Sequence, residues 1–148
     1  MDEEINVKPL FEDFSEQEMH ELLSFSRAAT FGPGDYLFRQ GDITQSIYII
    51  FSGDVELSAV NNSDEEVFFP VMSNGTVLGE IAFFDGKPRT ASARAVESLE
   101  TIIISQEGFS RLENEKPGLA IKILREFGRI TAERLRWADE ILIDIINN

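Results

Sequence analysis

Residues 47–60 read IYIIFSGDVELSAV, two apolar, β-branched runs separated by Ser52-Gly53-Asp54. Such residues favour extended backbone, and Ser-Gly-Asp between two of these runs is the chemistry of a tight hairpin. Tyr48-Ile49-Ile50-Phe51 is apolar at every position, so its strand is expected to be buried on both faces. The same texture extends in both directions from Arg27 to Ser105. Further short runs are Ala28–Phe31, Tyr36–Arg39, Val67–Met72, Thr76–Leu78, Thr90–Val96 and Leu99–Ile104. Between them stand Gly32-Pro33-Gly34-Asp35, Gln40-Gly41-Asp42, Asn61-Asn62-Ser63-Asp64 and Ser73-Asn74-Gly75. Eight short strands punctuated at this spacing imply an antiparallel sandwich or barrel.

The flanks have a helical period. Pro9 to Phe25 reads as a helix with Phe14, Met19, Leu22, Leu23 and Phe25 on one side, and Ser15 with Glu18 forms a capping-box pattern. His20, the single histidine, lies in this helix and reads as a solvated side chain. Gln106 to Glu115 is a short helix with Phe109 and Leu112 inward. Lys116-Pro117-Gly118 breaks it, and a long helix runs on to about Ile146. Roughly 28 residues at ~1.5 Å each extend about 42 Å, more than a domain of this size covers. That helix carries two apolar stripes. One is Ile123, Phe127, Ile130, Trp137 and Ile141, expected to lie on the β-domain. The other has heptad spacing, Leu124, Gly128, Thr131, Leu135, Ala138, Leu142 and Ile145, and is expected to meet a partner helix in a homodimer. A helix folded only onto its own domain is the alternative.

Composition excludes several classes. The 148 residues suffice for one domain with a core. A net charge of −14 argues against direct contact with nucleic acid, whose binding needs a basic face. It also requires any anionic ligand to be held by local positive groups. There is no cysteine, which removes disulfides, thiolate metal sites and cysteine nucleophiles. No apolar run approaches the roughly 20 residues of a membrane span, and the acidic start lacks a signal pattern, so a cytoplasmic protein is expected. An oxygenase-type enzyme on a jelly-roll scaffold needs two or three histidines with a carboxylate around a metal, and one helical histidine does not supply them.

The chemistry concentrates in residues 77–95, VLGEIAFFDGKPRTASARA. Gly79 permits a positive φ or a close backbone approach. Glu80, inside an apolar run, needs hydrogen-bond donors, and sugar hydroxyls would suit. Ile81 to Phe84 can form one helical turn whose first N–H groups attract an anion. Arg89 follows the Asp85-Gly86-Lys87-Pro88 loop, and its fork can pair with two phosphate oxygens, helped by Thr90, Ser92 and nearby amides. A sugar clamp beside a phosphate clamp suits a nucleotide. On these residues alone, a plain Glu80–Arg89 salt bridge across the loop is the readier reading, because such pairs are common.

Gly79-Glu80-Ile81-Ala82 followed by Pro88-Arg89-Thr90-Ala91-Ser92 resembles the phosphate-binding cassette of the cyclic nucleotide-binding domain. That family includes catabolite-activator-type regulators, the regulatory subunits of cyclic nucleotide-dependent kinases and cyclic nucleotide-gated channels. Phe31–Asp35, Leu37–Asp42 and Ile47–Gly53 resemble its glycine-marked strands in order and spacing, and the likeness runs from about Pro9 to Asp139. The resemblance implies an eight-stranded antiparallel β-roll of the jelly-roll type, mainly β, with an N-terminal helix (residues 9–26), the roll (27–105) and two C-terminal helices (106–147). It implies that Glu80 takes the ribose 2′-hydroxyl and Arg89 the cyclic phosphate. Amides around Ile81, Ala82 and Ala91, with the Ser92 hydroxyl, would complete the phosphate shell. Phe69, Met72 and Leu78 match the apolar wall, and Trp137, Ala138 and Asp139 lie near the base-contact region of the lid helix. In the kinase branch a hydroxyl after the arginine, here Thr90, goes with cGMP and alanine with cAMP, while channel domains that prefer cAMP can carry threonine. The expected ligand is cAMP, with cGMP open. The family's bacterial regulators continue into a winged helix-turn-helix, which does not follow here, and no kinase, channel or cyclase sequence is present. The expectation is therefore a receptor module without enzymatic activity, free-standing or part of a larger protein, signalling through its long helix to a dimer or a protein effector. The alternative is an interaction scaffold whose pocket is vestigial.

Overall fold

The structure, a computed structural model, describes residues 9–71 and 75–147. Eight strands form two four-stranded antiparallel sheets. They are β1 (Arg27–Phe31), β2 (Tyr36–Phe38), β3 (Ile47–Ser52), β4 (Val55–Val60), β5 (Glu66–Phe68), β6 (Thr76–Leu78), β7 (Ser92–Ala95) and β8 (Leu99–Ile104). One sheet has the order β1-β8-β3-β6 and the other β2-β7-β4-β5. The chain passes back and forth between them, which makes the β-roll. Four helices complete the fold: α1 (Glu16–Ser24), α2 (Glu80–Asp85), α3 (Gln106–Glu115) and α4 (Pro117–Asn147).

The Ser52-Gly53-Asp54 turn is not a hairpin. β3 pairs with β8 and β6, while β4 pairs with β7 and β5, so the turn carries the chain from one sheet to the other. Gly53 has a φ of 103°, and a Cβ there would lie 2.5 Å from the Ser98 carbonyl oxygen and from Leu99. The turn is wedged against the β7–β8 connection, and only glycine fits. The true sequential hairpin is β4–β5, closed by Asn61, whose side chain accepts from the Ser63 and Glu65 amides.

β3 organises both halves of the core. Ile47 and Ile49 face the helices, packing in a cluster with Leu22, Phe83, Phe109, Ile123 and Phe127. Tyr48 and Ile50 face the roll interior with Phe38, Val55, Leu78 and Leu99. Burial on both faces therefore holds for Ile47–Ile50. It fails at Phe51, which is 39% exposed where the register against β8 shifts between Ile50 and Ser52.

Three expected elements are shorter than their apolar runs. Pro9–Asp13 forms a turn rather than helix, because Phe11 takes a φ of 60°, a left-handed conformation that no helix continues through. Ser15 then starts α1 with a complete capping box. β5 stops at Phe68, two residues before Pro70, which has no N–H to give a ladder. β7 is confined to Ser92–Ala95, because Arg89 and its neighbours are held by the Gly41-Asp42 turn instead of a strand.

Candidate ligand site

α2 begins at Glu80 because Gly79 takes a φ of 83° and ends β6 abruptly. A Cβ at Gly79 would lie 2.6 Å from Arg89 Nη1 and 3.0 Å from the Ser46 carbonyl oxygen. The glycine thus serves two ends at once: it turns the chain into α2 and clears room for the arginine. α2 runs from Glu80 to Asp85, one residue beyond the expected turn at each end, and Gly86, also at positive φ, stops it and donates to the Ala82 carbonyl.

Arg89 is 3% exposed. Its backbone is fixed on both sides, the N–H donating to Asp42 O at 2.8 Å and its carbonyl accepting from Gly41 N at 2.8 Å. The guanidinium donates to Thr44 Oγ1 at 3.3 Å, Gly79 O at 3.0 Å and Ser46 O at 2.8 Å. It lies over the Phe38 ring, 4.4 Å from its centroid. All three hydrogen-bond acceptors are neutral, and among the described residues no carboxylate is within ion-pairing distance. Burial pushes the guanidinium pKa below its usual value, opposed by Tyr48, Asp42 and Glu80. Burial likewise raises the Tyr48 phenol, against the pull of Arg89, so Tyr48 stays neutral and donates to Leu37 O.

A cavity of about 290 Å³ opens beside this arginine. Its walls are Phe38, Leu57, Phe69, Leu78, Gly79, Glu80, Ile81, Ala82, Arg89, Thr90, Ala91, Arg134, Trp137 and Ala138. Residues expected in the cassette, the apolar wall and the lid thus line one space. Ser92 does not line it: its hydroxyl accepts from the Gln40 N–H at 2.9 Å and ties β7 to the end of β2. Asp139 is exposed and also lies outside the lining, and Met72 falls outside the described residues.

The Glu80–Arg89 salt bridge does not form. Glu80, 9% exposed, is paired instead with Arg134 of α4, whose Nη1 donates to Oε2 while Nη2 donates to Thr76 Oγ1. Arg134, Phe38 and Leu57 were not among the residues singled out in the sequence. The available signal for Arg134 was its place one helical turn before Trp137 and Ala138, on the same face. Phe38 and Leu57 carry no such mark, since their strands read only as core. Among the described residues no cluster of histidine and carboxylate could hold a metal ion, and no helix is long and apolar enough to cross a membrane.

The family model described as the cyclic nucleotide-binding domain matches residues 28–116. That is more than half of the chain, and the chain belongs to this family. It is 32% identical over 104 residues to the cAMP-dependent protein kinase regulatory subunit of Blastocladiella emersonii, covering 70% of this chain and 26% of that protein. It is 30% identical over 131 residues to the Cyclic AMP receptor protein of Thermus thermophilus, covering 88% of this chain and 59% of the relative. The chain therefore spans less than two thirds of either relative. A solved cyclic nucleotide-binding domain from Methylobacillus flagellatus superposes with a TM-score of 0.84 at 26% identity, over 91% of this chain and 76% of the other. By name, the first of these relatives is a regulatory subunit and the second a receptor protein.

Proposed function

We propose that this domain is a non-enzymatic receptor for a 3′,5′-cyclic nucleotide, cAMP ahead of cGMP, acting inside the cell. The observation that carries the reading is Arg89: a buried guanidinium at the wall of a cavity, held by neutral oxygens and, among the described residues, without a counter-ion. An unpaired buried charge is costly, and a ligand phosphate entering the cavity supplies the missing negative charge through a fork that suits it. Glu80 takes the ribose 2′-hydroxyl on its remaining oxygen. The backbone around Ile81, Ala82 and Ala91 completes the phosphate shell. Phe69 and Leu78 form the apolar wall, and Trp137 with Ala138 covers the base. The kinase regulatory subunit and the receptor protein named above, both cAMP proteins by name, support cAMP as the first ligand to try. The signal leaves through α4, whose distal half exposes Leu135, Leu142 and Ile145 for pairing with a second copy or with a protein effector.

Calorimetric titration with cAMP and cGMP in parallel tests this. The expected result is a dissociation constant in the micromolar range or tighter for one of them. Arg89→Ala is expected to weaken binding by at least about a hundredfold, since a charge-assisted bidentate contact is lost from a desolvated site. Absence of heat from both nucleotides with the intact domain would overturn the reading.

A further inference from the structure

The neutral oxygens around Arg89 orient it but do not balance its charge. Nε, Nη1 and Nη2 each give one N–H, to Thr44 Oγ1, the Gly79 carbonyl and the Ser46 carbonyl. A guanidinium has five N–H donors, so one remains on each Nη, and among the described residues neither meets an acceptor. The other close contact is aromatic. Arg89 Cζ lies 4.4 Å from the Phe38 ring centroid and 5.9 Å from that of Tyr48. The two rings pack on one another, 5.5 Å between centroids and tilted by 48°. Both are buried, and the Tyr48 hydroxyl donates to the carbonyl of Leu37, the neighbour of Phe38. This aromatic seat is therefore fixed within the roll. The face of such a ring is negative and attracts a cation, most strongly where water is excluded.

Resting on the function proposed above, we propose that Phe38, backed by Tyr48, stands in for a counter-ion to Arg89 while the cavity is empty. A carboxylate in that place would engage the guanidinium fork and compete with a ligand phosphate. A ring face takes no N–H, so the two remaining donors stay free for two phosphate oxygens. Phe38 is thus a positioning residue that acts on the ligand through Arg89. An entering phosphate neutralises Arg89, and the attraction between ring and cation weakens, because it is electrostatic. Phe38 therefore stabilises the empty site more than the filled one. Coupling between two interactions at one group is reciprocal. Removing the ring should destabilise the empty domain without weakening its hold on the ligand.

A thermodynamic cycle separates this role from plain packing. Urea unfolding is measured without ligand for the intact domain, Phe38→Leu, Arg89→Ala and the double variant. Leucine keeps an apolar side chain and lacks the ring face, so the cycle isolates the pair. The expected coupling is about tenfold in the folding equilibrium. Phe38→Met, an unbranched side chain that fills irregular space, should give the same coupling. Losses that simply add would overturn the proposal and leave Phe38 as apolar filling. Calorimetric titration with cAMP is the second readout. Phe38→Leu is expected to bind cAMP as tightly as the intact domain or up to about fivefold more tightly, in spite of its lower stability. Weakening beyond about twofold would overturn the proposal and make the ring a direct contact to the nucleotide. If the intact domain binds neither cAMP nor cGMP, the proposed function falls, and the ligand-free cycle alone decides whether Phe38 balances Arg89.

Discussion

α4 is one helix with two environments. From Pro117 to Ile130 it buries Leu119, Ala120, Ile123, Phe127 and Ile130 against β3, β8 and the other helices. Lys122 adds bonds to Asp13 O and Glu18 Oε1, both at 2.7 Å, and Glu126 accepts from Phe11 N–H. From Thr131 to Asn147 no residue of the same helix is fully buried, although Leu135, Trp137, Ile141, Leu142, Ile145 and Ile146 lie along it. Hydrophobicity is similar in the two halves, and what differs is whether the roll is beneath them. Thirty-one residues at ~1.5 Å each reach roughly 46 Å, so the helix overshoots the domain. The contrast teaches where a signal can enter: the first half is fixed to the core, and the second is held to the roll chiefly at Arg134 and the cavity wall.

The largest effect expected from this contrast is in stability. Phe127→Ala empties a fully buried position beside Phe83, whose ring centroid is 6.3 Å away, and is expected to cost about 3–5 kcal/mol. Ile141→Ala, on the same expected stripe but 39% exposed, should cost under about 0.5 kcal/mol in dilute protein. Urea unfolding of both variants measures the difference. Repeating it at a hundredfold higher concentration sharpens it: if the distal half pairs with a second copy, the Ile141→Ala cost grows with concentration. Equal costs in dilute protein would erase the distinction between the halves.

A smaller effect lies at their junction. Thr131 Oγ1 is buried with no hydrogen-bond partner, in the first residue beyond the last buried apolar one. Thr131→Val keeps shape and β-branching while removing the orphaned hydroxyl. It is expected to be neutral or stabilising by up to about 1 kcal/mol. A loss of stability would mean that the hydroxyl is engaged, and that the junction is better packed than its contacts indicate.

The contrast within α4 also marks what a sequence can carry. Strand positions were legible because glycine, proline and asparagine punctuate the roll, and each break has a local cause. Strand pairing was not: Ser52-Gly53-Asp54 is equally good chemistry for a hairpin and for a crossing between sheets, and Leu99, far along the chain, decides between them. The helix was legible by its period, but its stripe of Ile123, Phe127, Ile130, Trp137 and Ile141 does not all lie on the roll, because periodicity reports a face and not what covers it. At the site, Gly79, Glu80 and Arg89 stood out as residues whose chemistry is awkward without partners. The partners themselves did not stand out. Arg134 lies 54 positions from Glu80, and Thr44 and Ser46, which hold Arg89, looked like ordinary loop residues. Ser92 illustrates the reverse, a hydroxyl of suitable type in the cassette that spends its acceptor on Gln40.

The finest test of the fixed half is electrostatic. Lys122 on α4 donates to Glu18, and with the Ser15 amide it holds that carboxyl below the usual glutamate value. A carboxyl whose folded pKa is depressed contributes stability that is present above its unfolded value, about 4.3, and lost as pH falls through the folded value. Glu18→Gln should therefore flatten the fall of stability with acid below about pH 4.3, while changing little at pH 7 beyond the small loss of an exposed pair. The measurement is a series of thermal melts between neutral and acid pH, with the variant's curve compared to the intact domain's. The same series on Arg134→Ala supplies the contrast. If the Lys122–Glu18 tie belongs to the fixed half, Glu18→Gln alters the melting of the whole domain and leaves exchange across residues 131–147 as it was. If exchange there also quickens, the two halves of α4 are not independent, and the division drawn at Ile130 is wrong.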